Sequence, residues 1–371
     1  MNKHTTKRNG NKQTNLADVS TCTTVAVDLA KRVFQVAGED ARGQVTYEDR
    51  LKSREAFHDW LRKLPPQVTV LMETGPGAQA WARQLQAQGQ RVRILPAQRV
   101  AEHRSGAKND RNDVLAILRA GRDVNIIAVP IKTPEALAMQ ALHRVRQGCV
   151  RRRTALGNQL RGLLLEHGIA LAQGETPIRI RVPAVLEDAS WPLPELLREL
   201  VAELLAEWEH LGERIEVLSG RLDASARQDP TAVRLMTTRG VGPIIATAVL
   251  AKQVDPQRFA SARQFAAYFG TVPDQHSSGQ KLRLGRMSKR GDAYIRSLVI
   301  QGAHAVLQQV RADSRAVDDQ RLLRWRQRHG VKGAAIRLAN RNLRIVWVLL
   351  RSEQVYRRES GTPAREAVMT H

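Results

Sequence analysis

Short apolar runs alternate with amphipathic stretches through the first third of the chain, and this pattern predicts strands alternating with helices. The runs predicted to form strands are TTVAVDLAKRVFQVAG (23–38), QVTYEDRL (44–51), QVTVLMET (67–74) and RVRILP (91–96). The predicted helices are SREAFHDWLRKL (53–64), AQAWARQLQAQG (78–89) and DRNDVLAILRAGRD (110–123). A hairpin pattern followed by alternating helix and strand predicts an α/β domain over about 20–128.

The middle of the chain changes to long helical patterns. An Arg-rich helix is predicted from Pro134 to Gly168, and a loop or short helix over 169–193. After Pro194, apolar residues recur in steps of four and three: Leu197, Val201, Leu204, Trp208, Leu211, Ile215, Leu218 and Leu222. This heptad seam predicts a helical hairpin with the 134–168 helix, a dimerising coiled coil, or both together.

The last third predicts an all-α unit. Its glycine turn, Gly240-Val241-Gly242-Pro243, is typical of a helix-hairpin-helix, in which Gly240 and Gly242 let backbone N–H groups approach a nucleic-acid phosphate. Further helices are predicted near 261–273, 291–311 and 332–351. The resulting division is a basic disordered tail (1–20), an acidic α/β domain (21–130), a helical coiled-coil or dimerisation region (131–228), a serine-containing C-terminal domain (229–352) and a tail (353–371).

The charge balance points to a polyanionic partner. The chain has 59 Lys and Arg residues against 36 Asp and Glu, a formal net charge of +23. Arginine in such excess favours phosphate contact, so we expect nucleic acid to be bound. Basic clusters with this role are Arg151, Arg152, Arg153, Lys281, Arg283, Arg286, Lys289 and Arg290.

Cysteine usage and hydropathy argue against several classes of protein. Cys22 and Cys149 are far apart and have no His or Cys neighbours at ligand spacing, which argues against a disulfide framework and a zinc knuckle. No apolar run reaches the roughly 18 residues of a membrane helix. The low cysteine usage fits a protein of the reducing cytoplasm.

Carboxylates in the α/β domain form a candidate metal site. Asp28 interrupts an apolar strand, Glu73 ends another, and Asp110 and Asp113 share one face at the start of a helix. If they converge, these oxygens suit Mg²⁺ or Mn²⁺, ions that assist phosphoryl transfer. Taken singly, Asp110 is better explained as a helix cap and Asp113 as a first-turn dipole partner, and the alternative for Glu73 is a loop-edge residue.

The segment HSSGQKLRLGRMSKRGD (276–292) places two serines and a glycine before a basic run. Such a segment can bind a phosphate or attack one. A serine hydroxyl needs activation before it can attack, and a carboxylate-bound metal ion can supply it. Ser277 and Ser278 are therefore candidate nucleophiles, and Ser278, next to Gly279, is the preferred one.

The motifs AVDLAKRVFQVA, VLMETGPGAQAWA and AKNDRNDVLAILRA, in this order, make the N-terminal domain resemble the RNase H/RuvC-like domain of DEDD transposases of bacterial insertion sequences. RGVGPIIATAVLA and HSSGQKLRLGRMSKRGDAYIRSLVIQGA resemble the second conserved domain of that family. The resemblance covers roughly 23–350 and assigns the four acidic positions to Asp28, Glu73, Asp110 and Asp113. It implies a serine nucleophile just before the glycine of the loop.

The resemblance also implies the partners. Family members work with a structured noncoding guide RNA that pairs with donor and target DNA. They recombine as a homotetramer built from homodimers, and the acidic domain of one subunit completes the serine site of another. The first hypothesis is thus an RNA-guided DNA recombinase with a phosphoserine intermediate. The alternatives are a metal-dependent DEDD nuclease or Holliday-junction-resolvase-like enzyme that uses activated water, and a non-catalytic nucleic-acid-binding scaffold.

Overall fold

The computed structural model describes residues 18–29, 32–107, 109–275 and 284–357. Contacts divide the chain into two compact units, Met1–Lys132 and Thr133–His371. No helix in these described ranges is both long and apolar enough to cross a bilayer.

A five-stranded sheet forms the centre of the first unit, in the order β3-β2-β1-β4-β5. The strands are β1 (Thr24–Leu29), β2 (Phe34–Glu39), β3 (Val45–Leu51), β4 (Thr69–Glu73) and β5 (Arg91–Leu95). β1, β2 and β3 pair antiparallel, whereas β4 is parallel to β1 and to β5. The expectation of a mixed α/β N-terminal domain is confirmed.

Helices cover both faces of this sheet. On one face lie α1 (Arg54–Arg62) and α2 (Ala78–Ala87), and Phe34 stacks on Phe57 with ring centroids 4.2 Å apart. The other face packs against α4 (Asp110–Arg122), while a short helix that the pattern did not predict, α3 (Ala97–Glu102), precedes it. Gly121 lets α4 approach the sheet closely, because a Cβ there would lie 2.1 Å from Leu71 Cδ1.

Two long helices begin the second unit. α5 (Pro134–Leu165) and α7 (Glu195–Gln228) run antiparallel, since Arg146 Nε donates to Ser219 Oγ at 2.7 Å near one end and Arg153 lies over the Trp208 ring near the middle. Buried residues of the heptad seam contact α5 and the intervening α6 (Thr176–Glu187). The seam therefore closes within one chain as a helical hairpin, one of the two arrangements that the heptad pattern allowed.

The remainder of the second unit is mainly helical. Its helices are α8 (Pro230–Met236), α9 (Pro243–Leu250), α10 (Ala262–Tyr268), α11 (Ala293–Gln309) and α12 (Val317–Arg351). They enclose one apolar core that includes Phe265, Phe269 and Leu343. α12 breaks at Gly330, whose φ of 67° and ψ of 174° are not helical.

The expectation of an all-α C-terminal domain is wrong. Strands β6 (Pro273–Gln275) and β7 (Leu284–Met287) pair antiparallel, with Pro273 opposite Met287. The alternation of apolar and basic residues in LRLG (282–285) has a period of two, which is typical of a strand. The residues between β6 and β7, including Ser277 and Ser278, lie outside the described ranges.

Candidate active site

The sheet brings two of the predicted carboxylates to one edge. β1 and β4 are parallel, Val27 lies opposite Met72, and Asp28 and Glu73 are the next residues along each strand. Side chains alternate between the faces of a strand. Because Val27 and Met72 point into the core beneath α1 and α2, Asp28 and Glu73 belong to the opposite face, where α4 packs.

The other two carboxylates begin α4, and neither caps it. The N-cap is Asn109, whose Oδ1 accepts a hydrogen bond from Asn112 N at 2.8 Å. The interpretation of Asp110 as a cap is therefore wrong by one residue, because Asn and Asp are comparable caps and the pattern did not distinguish them. Asp110 and Asp113 lie in the first turn, and the Asp110 side chain is exposed.

Arginines that the pattern did not single out contact both carboxylates of α4. Arg104 Nε lies 2.5 Å from Asp113 Oδ1, and Arg50 Nη2 lies 4.0 Å from Asp110 Oδ2. The first pair is partly buried and the second is exposed, so screening by solvent weakens the second pair. Arg104 and Asp113 are nine positions apart, and α4 begins between them. Their contact therefore depends on the fold and is not evident from the sequence.

The pKa of Asp28 is affected by the two carboxylates at the start of α4. Burial raises the pKa of the Asp28 carboxyl, the charges of Asp113 and Asp110 raise it further, and Arg104 lowers it in part. Asp28 thus interacts electrostatically with both carboxylates at the start of α4, although they are more than 80 residues away in the sequence. A raised pKa from burial and neighbouring carboxylates is typical of functional acidic sites.

The chemistry of this acidic group fits a divalent cation. All four side chains offer carboxylate oxygens, the ligands that Mg²⁺ prefers, and Asp113 and Asp110 add to the rise that burial causes in the pKa of Asp28. Within the described ranges, no three Asp, Glu, His or Cys side chains are grouped closely enough to hold a metal ion. The residues are therefore of the right type and on the right face, and the structure shows no completed coordination sphere.

The serine loop is framed by well-defined structure. Ser277, Ser278, Lys281 and Arg283 lie outside the described residues, whereas both strands of the hairpin that carries them are described. Ser288 N donates to Val272 O at 2.9 Å and closes the base of the hairpin. The exposed basic residues after the loop are Arg286, Lys289 and Arg290.

Two glycines hold the base of the hairpin against α10. A Cβ on Gly270 would lie 1.8 Å from Arg290 O, and one on Gly291 would lie 2.0 Å from Tyr268 O. Both glycines also have positive φ, 71° and 92°. The two backbone segments can cross at this distance only without side chains, which fixes the position at which the chain leaves the serine loop.

A polar cluster follows directly at the start of α11. Asp292 caps this helix by accepting from Tyr294 N and Ile295 N, and its Oδ2 lies 2.5 Å from Lys252 Nζ. Burial raises the pKa of Asp292, but Lys252 and the two backbone amides outweigh this effect and hold it below its usual value. The Asp directly before a helical pattern was a capping signal in the sequence.

His143 joins α5 to the same region. Its Nδ1 is 3.0 Å from the hydroxyl oxygen of Tyr294, and its Nε2 is 3.1 Å from Thr247 Oγ1. Burial, with a smaller effect from Arg146, lowers the pKa of His143 to about 4, so the ring is neutral at physiological pH. Its two hydrogen bonds make it a structural link between α5, α9 and α11.

The other predicted nucleic-acid contacts have different surroundings. Arg151 and Arg152 are exposed on α5. Arg153 is mostly buried, stacks 4.1 Å above the Trp208 ring and pairs with Glu175 at 2.8 Å, so its charge is engaged within the unit.

The glycine turn between α8 and α9 has one packed and one open position. Gly240 has a φ of 86°, and a Cβ there would lie 3.0 Å from Gly302 O on α11. Gly242 is the N-cap of α9, and no atom lies within 4 Å of its Cβ position. Close packing therefore explains Gly240, while Gly242 has the space that a phosphate contact needs.

Comparison with known proteins identifies the family. The DEDD transposase model of the IS110 type matches residues 25–169, and the model described as transposase IS116/IS110/IS902 family matches residues 232–318. A probable family 20 transposase of Pseudomonas aeruginosa is 42% identical over 336 residues, which cover 90% of this chain and 98% of that protein. The chain belongs to the IS110/IS116 family of insertion-sequence transposases. It is thus an enzyme of DNA transposition that binds DNA.

Further relatives agree with this assignment. The transposase for insertion sequence element IS1111A of Coxiella burnetii is 35% identical over 335 residues, covering 90% of this transposase and 91% of that one. A putative transposase of Sinorhizobium fredii is 35% identical over 337 residues. Membership confirms the resemblance to DEDD insertion-sequence transposases, excludes the non-catalytic scaffold, and indicates use of a divalent metal through the DEDD domain.

Proposed function

We propose that this transposase is an RNA-guided DNA recombinase that cuts and rejoins strands through a covalent link to Ser278. The observation that carries the proposal is the acidic face of the first unit, where Asp28 and Glu73 end adjacent parallel strands beside Asp110 and Asp113 on α4. A hydroxyl nucleophile needs such a site for activation, and the serine loop provides that hydroxyl.

The fold of the acidic unit supports an RNase H/RuvC-like assignment. Three antiparallel strands are followed by two parallel ones in the order β3-β2-β1-β4-β5, and α4 covers the face that bears the carboxylates. A carboxylate in the central strand and one at the end of its parallel neighbour suit metal-assisted phosphoryl transfer, because both project from one sheet edge.

The proposed step conserves the energy of the phosphodiester. Ser278 Oγ attacks the phosphorus, a serine–phosphate ester forms, and the bond to the leaving strand's sugar oxygen breaks. The serine proton ends on that leaving oxygen. Attack by a new strand's hydroxyl on the phosphoserine reverses these events and returns the proton to Ser278, so joining needs no external energy source.

The chain's own residues position the reaction. Lys281, Arg283, Arg286, Lys289 and Arg290 hold the scissile phosphate and its neighbours, because guanidinium and ammonium groups pair with phosphate oxygens. Asp28, Glu73, Asp110 and Asp113 would hold Mg²⁺ or Mn²⁺, which lowers the pKa of a bound hydroxyl and offsets charge on the phosphate. Asp292 and Lys252 anchor the chain after the loop.

The guide RNA and the homotetramer are part of the proposal through the resemblance. The net charge of +23 supports binding of polyanions in general. In the proposed assembly, the acidic domain of one subunit acts at the serine loop of another. Purification of the transposase from cells that contain its element, with sequencing of the bound RNA, tests this part separately.

Strand exchange between the element's DNA ends and a target, measured with the full-length protein and its RNA, tests the mechanism. We expect activity to need a divalent metal ion and to disappear in Asp28→Asn and in Ser278→Ala. Product ends that arise by hydrolysis, with strand cutting retained in Ser277→Ala/Ser278→Ala, would instead establish the nuclease or resolvase-like alternative with activated water.

A further inference from the structure

A stripe of side chains three and four residues apart follows one side of α12 after the break at Gly330. It consists of Gly333, Arg337, Arg341, Arg344 and Val348, all of which line one groove of about 1070 Å³. Arg337 and Arg344 are exposed, and no hydrogen bond or ion pair joins either guanidinium to another described residue. Arg341 Nη2 donates hydrogen bonds to Asp318 Oδ1 and to the Tyr356 hydroxyl, both at 3.2 Å.

The opposite wall of this groove is the base of the serine hairpin. Thr271, Val272 and Pro273 form it together with Gly285 and Met287 of β7, the strand that leaves the serine loop. Asn340 Nδ2 lies 3.3 Å from both Thr271 O and Thr271 Oγ1, which ties the two walls together. The groove is therefore lined by described residues on both sides of the serine loop in the sequence, Thr271–Pro273 before it and Gly285 and Met287 after it.

The lining has the chemistry of a nucleic-acid site. Arg263 adds a further guanidinium from α10, and no residue of the described lining is acidic. Trp325 and His329 line the same groove and offer planar rings for base stacking. Arg337 and Arg344 are separated by about 10 Å along the helix axis, which is the rise of about three nucleotides in a DNA strand.

We propose that this α12 groove holds the DNA strand that is cut, with Arg337 and Arg344 on its phosphates and Trp325 stacked on a base. The inference rests on the proposed serine chemistry for the choice of DNA, because the groove borders the serine hairpin. It adds the arginines of α12 to the basic side chains already proposed to hold the scissile phosphate.

Binding of a fluorescent single-stranded DNA to the full-length protein over a range of salt concentrations tests the groove. We expect Arg337→Ala/Arg344→Ala to bind roughly tenfold more weakly and to reduce the slope of log K against log salt by about 1.4, since each phosphate contact on a single strand contributes about 0.7. Trp325→Ala should weaken binding at all salt concentrations without changing that slope, and Trp325→Phe should restore most of the affinity.

The matched control is Arg214→Ala/Arg221→Ala. These arginines are also exposed, also seven residues apart on one helix, and remove the same charge from the same unit. The proposal is overturned if both double variants bind DNA equally, or if the groove variant loses affinity only for an RNA of the same sequence. Retained hydrogen-exchange protection in α12 verifies that the variants fold.

The groove and the serine mechanism can fail independently. If the groove variant binds DNA more weakly but the unmodified protein forms no protein–DNA adduct, the groove is supported as a DNA-binding site and the proposal of a serine nucleophile is refuted. An adduct formed normally by a groove variant with undiminished affinity would refute the groove alone.

Discussion

Asp28 illustrates how a single residue connects fold and chemistry. It follows the buried residues Val25, Ala26 and Val27 in β1, and burial together with the charges of Asp113 and Asp110 raises its pKa. Folding therefore favours its protonated form. The resulting contribution to stability is complete below the unfolded pKa of about 3.9 and is lost as pH rises through the raised folded pKa. At neutral pH, the ionised carboxylate reduces the stability of this unit.

Asp28→Asn should consequently stabilise the first unit at neutral pH in metal-free buffer while it abolishes strand exchange. Hydrogen exchange of β1 and α4 peptides, measured across the acidic range and at neutral pH, reports the change. Added Mg²⁺ should protect these peptides in the unmodified protein and not in the variant. The control Asp59→Asn removes an exposed carboxylate from the same unit and should change neither property. Equal protection in all three proteins at neutral pH would contradict the account of Asp28.

At the scale of elements, the serine hairpin depends on two glycines more than on its short strands. β6 and β7 contribute few ladder hydrogen bonds, whereas Gly270 and Gly291 allow two backbone segments to touch. A hairpin of this length is marginal alone, so contact with α10 fixes it. The placement of the nucleophile is therefore determined by residues that take no part in chemistry.

Gly291→Ala should destabilise the C-terminal domain by about 1–3 kcal/mol from its positive φ, with a further cost from the clash with Tyr268 O. We expect strand exchange to fall accordingly and exchange protection to drop in α10 and at the start of α11. In the control Gly220→Ala, the new methyl meets open space on α7, and a helical alanine should add about 0.5–1 kcal/mol. If Gly291→Ala is as stable and as active as this control, the close contact between Gly291 and Tyr268 O does not fix the hairpin.

The helical hairpin of α5 and α7 offers a second test at this scale. Leu211→Ala removes a buried seam residue and should lower the free energy of unfolding by about 2–5 kcal/mol. Because the seam closes within one chain, the loss should not depend on protein concentration. Leu196→Ala, at a position 68% exposed on the same helix, should be neutral. Denaturant unfolding at several protein concentrations distinguishes a seam within one chain from a seam between two chains. In the second case the Leu211→Ala dimer would dissociate, and its stability would depend on protein concentration.

Over the whole molecule, the sequence predicted most of the long elements, whereas the metal-binding role of Asp28, Glu73, Asp110 and Asp113 stays a prediction. Apolar runs marked β1 and β4, and regular spacing marked α5 and α7, because each signal extends over many residues. The hairpin was missed since its strands are only three and four residues long. The Arg104–Asp113 pair and the α12 groove were not predicted, because both depend on tertiary contacts.

The most direct test of the account as a whole is to identify the bond between protein and DNA. A nicked suicide substrate, incubated with the full-length transposase, its RNA and Mg²⁺, should trap a covalent adduct. Peptide mass spectrometry should then place the nucleotide on Ser278, and Ser278→Ala should form none. Absence of any adduct, together with strand exchange retained in Ser277→Ala/Ser278→Ala, would contradict the serine mechanism.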